Sequence, residues 1–149
     1  MKKEFVRVRS AKDITVSVSL IVSGAVLILL PTGAAVNITG FFLIMAGILL
    51  ALFMKTGYKD VETGEMYCKR EHYFKQAMNP VISAAIASRP ESVDLSEEDK
   101  GSAVRLDVYY GKTSGKAYLQ LFEYVPYTYE PCSGMYEYHI STVDKLIRK

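Results

Sequence analysis

The pattern of apolar and polar positions changes character once along the chain. Residues 14–54 include no charged side chain, and mostly apolar residues fill this stretch, interrupted at Pro31, Thr32 and Gly33. A helix crossing the hydrocarbon core of a bilayer takes about 20 mostly apolar residues, so the run suits two spans, about 14–30 and 35–54. Proline followed closely by glycine ends the first helix and lets the chain turn back. Past Lys55 the pattern becomes that of a folded soluble domain. Val104, Leu106, Val108 and Tyr110 alternate with Arg105, Asp107 and Tyr109, the period of a half-buried strand. After a loop at 111–115, Lys116–Val125 forms a second strand, and the two predict an antiparallel hairpin. On that second strand Ala117, Leu119, Leu121 and Val125 share one face while Tyr118, Phe122 and Tyr124 share the other. Both faces are largely apolar, which predicts a strand covered on both sides.

The remaining elements are marked more faintly. Residues 58–61 and 65–67 flank Glu62, Thr63 and Gly64, a spacing for two short strands and a tight turn. Phe74, Met78, Val81, Ile82, Ala85 and Ile86 fall at helical intervals, with Asn79 as N-cap and Pro80 as first helical residue; the alternative is a longer helix from Lys69 kinked at Pro80. The acidic stretch 91–100 predicts one exposed helical turn, with Ser96 and Asp99 as a capping pair and Gly101 as the stop. Pro126 and Pro131 bracket an extended segment, 136–140 suits a last strand and 143–147 a final turn. The fold class expected is therefore a two-helix transmembrane hairpin, residues 14–54, followed by a small α+β domain with an antiparallel sheet, residues 55–149. Residues 1–13 are expected as a basic tail.

Charge orients this arrangement. The net charge is +2 over 149 residues, yet the first thirteen carry Lys2, Lys3, Arg7, Arg9 and Lys12 against Glu4 and Asp13. Lys55 and Lys59 follow the second span, and the linker between the spans is uncharged. Short basic flanks stay on the cytoplasmic side, so both termini are expected there, with the chain multi-pass in the inner membrane. A secretory signal would share the basic start and the small residues after Pro31, but its apolar core is shorter and no equally apolar span follows it. The domain beyond the spans is close to neutral and offers no basic face for nucleic acid. In a reducing compartment Cys68 and Cys132 are expected as free thiols.

Candidate chemistry changes the picture little. Cys68, His72, Cys132 and His139 would make up a zinc ligand set, but the interval from Cys132 to His139 is no recognised ligand spacing, and no metal or other cofactor is expected. The carboxylates of 91–100 lack the ligand alternation of a calcium loop. Only Cys132 with His139 or His72 could pair a nucleophile with a base, and no phosphate loop, serine elbow or carboxylate dyad accompanies them, so an enzyme is not expected.

Tyrosine gives the stronger signal: eight of eleven lie between Tyr109 and Tyr138. Tyrosine offers large contact area at small rotamer cost and keeps a polar tip, which suits a binding surface. Tyr109, Tyr118, Phe122, Tyr124, Tyr127 and Tyr129 are the expected partner-binding residues. Within the spans, Thr15, Ser19 and Ser23 recur along one helix and Gly40, Gly47 and Ala51 along the other, stripes that permit close helix packing within the hairpin or between copies. Together these features predict a membrane-anchored cytoplasmic interaction or sensor module that self-associates or binds a protein partner. The alternatives are an oligomeric effector that perturbs the bilayer and a small membrane-bound enzyme.

Overall fold

The computed structural model describes residues 3–148. It divides into two compact units, one spanning Val6–Tyr58 and the other formed by the described residues on either side of that stretch.

In the first unit, helix α1 runs over Ala11–Leu29 and helix α2 over Ala34–Phe53. Both are long and apolar enough to cross a membrane. α1 begins upstream of the uncharged run because Ser10 and Asp13 form a reciprocal cap: the Ser10 hydroxyl accepts the Asp13 N–H and the Asp13 carboxylate accepts the Ser10 N–H. Where a featureless tail was expected, Phe5–Val8 is a short strand, β1. At the far end of the hairpin, Gly33 sits at φ 119 just before α2, a conformation that residues carrying a Cβ rarely adopt.

The two helices touch through backbone. A Cβ on Gly24 would stand 2.4 Å from the Gly40 carbonyl oxygen, and one on Gly47 would stand 2.7 Å from Ile21 and 2.9 Å from the Ser17 carbonyl oxygen. Gly40 and Gly47 are thus buried in the hairpin and Ala51 is half-buried. Thr15, Ser19 and Ser23 are exposed on α1, so the two small-residue stripes do not meet inside this hairpin. The face of α1 that meets α2 carries Ser17, Ile21 and Gly24 instead. Two residues further along a helix is about 200° around it, which turns one stripe inward and the other out.

In the second unit, β2 (Gly57–Asp60) enters and a turn at 61–64 leads into β3 (Met66–Phe74). β3 pairs antiparallel with β4 (Val104–Tyr110), and β4 with β5 (Lys116–Val125). The other edge of β5 is shared by β6 (Thr128–Pro131) and β7 (Tyr136–His139). Residues 69–74 are therefore strand, which overturns the longer kinked helix; α3 is Asn79–Ser88 alone. Met78, not Asn79, holds its cap position, and Pro80 falls within the first turn, where no backbone donor is lost from the helix. In the acidic stretch two 3-10 turns form, and the cap is Asp94 accepting the Ser96 N–H, not a Ser96–Asp99 pair.

One sheet face makes the core. Phe74, Val104, Leu106, Val108, Leu119 and Leu121 have no exposed surface, and Ile82 and Ile86 of α3 and Leu146 of α4 (Asp144–Ile147) close over them. Tyr138 fastens this layer by donating from its hydroxyl to the Ile86 carbonyl at 2.6 Å.

Candidate functional site

The strand period places every second residue of β3, β4 and β5 on the face opposite α3 and α4. The register aligns Lys69 with Tyr109, Glu71 with Asp107 and Tyr73 with Arg105, then Arg105 with Phe122, Asp107 with Gln120 and Tyr109 with Tyr118. At the centre lies Asp107, only 1% exposed. Lys69 Nζ approaches it to 2.9 Å, Arg105 Nε to 2.8 Å, and Arg105 Nη2 donates to it at 3.1 Å. Asp107 is thus not the outward, solvated carboxylate that strand alternation implies. Burial pushes its pKa up, and the two cations within 3.1 Å pull against that shift. Burial also works against the charges on Lys69 and Arg105, and Asp107 outweighs it, holding both cations above their ordinary values.

The expected partner-binding residues divide between the two ends of this face. At one end Phe5 stacks on Tyr109 with ring centroids 4.3 Å apart and meets Tyr67 and Tyr118 at 5.1 and 5.6 Å. Tyr118 is left 3% exposed, and its pKa is raised by burial and by its bond to Glu137. Part of the chain itself therefore covers this end. At the other end the Arg105 guanidinium lies 4.8 Å from the Phe122 ring centre and 4.7 Å from that of Tyr129. Tyr129 also meets Tyr124 at 5.3 Å and Tyr73 at 6.2 Å, and its hydroxyl donates to the Ser102 carbonyl. Beyond this cluster the β5–β6 hairpin projects: Tyr124 is 51% exposed and Tyr127, at the tip, 99%. Pro126 followed by Tyr127 at φ 71 has the shape of a type II turn, whose third position ordinarily takes glycine or asparagine.

The thiols and histidines do not converge. Cys68 and Cys132 are exposed. His139 bonds Ser141, whereas His72 is buried and bonds the Glu98 carboxylate through Nδ1 and the Leu146 carbonyl through Nε2 at 2.7 Å. Among the described residues no three His, Cys, Asp or Glu side chains stand together as metal ligands. Two polar residues carry more structure than their sequence context indicates. His72 ties β3 to two other segments, and no local pattern marks it. Asp13 accepts from the Thr56 N–H and hydroxyl at 2.8 and 2.6 Å and so closes the base of the helical hairpin; the Ser10-x-x-Asp13 spacing signals its cap role but not the bond across to Thr56.

Comparison of the chain with protein-family models, with curated proteins and with solved structures finds no match.

Proposed function

We propose that this chain is a membrane-anchored interaction module: α1 and α2 cross the cytoplasmic membrane as a hairpin, and the sheet unit on the cytoplasmic side binds protein through the projecting end of its second face. Support for the anchor comes from the outward side chains of the hairpin, where Phe41, Phe42 and Phe53 are 56%, 66% and 77% exposed. Such side chains are stable in hydrocarbon and costly in water.

The observation that carries the interaction reading is Tyr127. A left-handed backbone costs a residue other than glycine about 1 kcal/mol or more, and nearly full exposure forgoes all burial of the ring. Within the fold the Tyr127 N–H donates to the Tyr124 hydroxyl at 3.3 Å, but the ring itself stays unburied, which supports a contact for it outside the fold. Tyr124 and the Arg105-backed Tyr129 extend the same surface and give it the aromatic and arginine content of a protein interface. The exposed Thr15, Ser19 and Ser23 favour a second reading, in which hairpins of several copies assemble and disturb the bilayer.

A photo-crosslinking amino acid at position 127 of the full-length chain, irradiated in native membranes, should yield one discrete protein adduct. An adduct of twice the 16.7 kDa chain would identify a second copy as the partner. The variant Tyr127→Gly should be more stable by about 1 kcal/mol and should lose the interaction. Absence of adducts at 127, while the same group at Ser23 crosslinks copy to copy, would overturn this reading in favour of the membrane effector.

A further inference from the structure

Away from the hairpin tip, β3 runs on past the end of its neighbour β2. The four residues of β2 lead into the turn closed by the Asp60 N–H bond to the Glu65 carbonyl, whereas β3 continues for nine residues. At its far end the Asp99 N–H donates to the Tyr73 carbonyl at 2.7 Å. β2 pairs with the start of β3 and Glu98 bridges to Phe74 at its end, and the stretch of β3 around Glu71 lies past the reach of both. Since a strand directs its backbone groups alternately to either side, and Tyr73 directs its carbonyl to the open edge, Glu71 directs both its N–H and its carbonyl there too.

Open strand edges invite pairing, and folded proteins blunt them. The opposite edge of the sheet is blunted: β6 is four residues long, ends in Pro131 and carries Glu130. The edge of β3 is treated differently. It forms the floor of a cleft of about 380 Å³, with the 95–101 segment on one side and the end of α4 on the other. His72 holds both walls in place, through Glu98 on one side and the Leu146 carbonyl on the other. Leu95 and Ile147 supply apolar wall, and Arg70, Lys100 and Arg148 line the cleft as cations. Arg148 pairs with Asp144 at 2.9 Å, whereas Arg70 and Lys100 have no ion-pair partner among the described residues. The carboxylates present are already engaged, Glu71 by Lys69 and Tyr73, Glu98 by His72.

We infer that this cleft receives an extended acidic peptide segment of a partner protein, which adds as a strand to β3. Main-chain bonds to the N–H and carbonyl of Glu71, and to the N–H of Tyr73, whose carbonyl is already taken by Asp99, would supply affinity, as in other cases of strand addition. Its acidic side chains would meet Arg70 and Lys100 and select against neutral or basic segments.

The test uses the full-length protein in detergent micelles and a labelled peptide of alternating valine and glutamate, with its valine–lysine counterpart as control. The acidic peptide should bind at least tenfold more tightly, slow hydrogen exchange at the Glu71 and Tyr73 amides, and lose binding when alternate peptide nitrogens are methylated. Arg70→Glu and Lys100→Glu, both at exposed positions, should each weaken binding tenfold or more without altering the fold. Equal binding of the basic peptide, an unprotected Glu71 amide in the complex, or displacement of the peptide by millimolar phosphate would overturn the proposal. A failure here alongside a discrete adduct at Tyr127 would remove the cleft and leave the hairpin-tip interface standing.

Discussion

Asp60 has no exposed surface, and its carboxylate is held by Lys3 Nζ at 2.6 Å, the Glu62 N–H at 3.0 Å and the Thr63 hydroxyl at 2.9 Å. Burial raises its pKa, but these donors together outweigh burial and leave it lowered. A carboxyl whose folded value lies below its unfolded value of about 3.9 contributes stability that is fully present above that value and is lost as pH falls through the folded one. The full-length protein in micelles, followed by tyrosine near-UV circular dichroism because it has no tryptophan, should therefore lose stability to urea steeply below about pH 4. Asp60→Asn should be less stable at pH 7, and its deficit should shrink as pH falls toward 2. A constant deficit across that range would show that the Lys3 pair does not form. Asp107 and His72 obey the same residue-scale rule, that a buried polar group must find partners: Asp107 finds two cations, and His72 finds a carboxylate and a carbonyl on different segments.

At the scale of elements, helix packing in lipid, the setting proposed for α1 and α2, gains nothing from excluding water, so close backbone approach takes over. Gly24 and Gly40 show how close: a side chain on either would strike the other's carbonyl oxygen within 2.6 Å. Gly40→Leu should force α1 and α2 apart and cost about 2 kcal/mol, within the range for overpacked sites, measured by unfolding in a detergent titration. Ser19→Leu, on the exposed face of α1, should leave the hairpin's own stability unchanged. Equal losses from the two substitutions would remove the glycine contact as the packing determinant. In the sheet unit, the element that decides the layering is β5, paired with β4 from Ala117 to Glu123 on one side and shared by β6 and β7 on the other. Its two apolar faces are accounted for differently: α3 and α4 close one, while on the other Phe5 covers Tyr118 and Arg105 covers Phe122.

For the whole molecule, the proposed topology rests on basic residues standing before α1 and after α2, with none between. Cys68 and Cys132 are exposed and lie in the sheet unit, which makes them natural reporters. A membrane-impermeant maleimide should label neither thiol in intact cells and both after permeabilisation. Labelling before permeabilisation would place the sheet unit outside the cytoplasm and undo the orientation on which the choice of partner compartment depends.

What the chain determines by itself is whatever a local period encodes. The uncharged 14–54 run dictates two long apolar helices, and the alternation from Val104 to Tyr110 and from Lys116 to Val125 dictates the central hairpin, because burial on one face imposes a repeat that needs no distant partner to be seen. Weakly periodic segments were legible only in part: residues 69–74 suit a helix as readily as a strand until β4 supplies the pairing that makes them β3. Tertiary structure alone decides which stripe of α1 faces α2, since 15, 19, 23 and 17, 21, 24 both follow helical spacing and only the contact with Gly40 and Gly47 separates them. It likewise divides the tyrosines, closing Tyr109 and Tyr118 beneath Phe5 and leaving Tyr124 and Tyr127 exposed. The stretch of β3 left past β2 is a product of tertiary structure too, because it is set by how far the neighbouring strand reaches, and no residue of β3 encodes that.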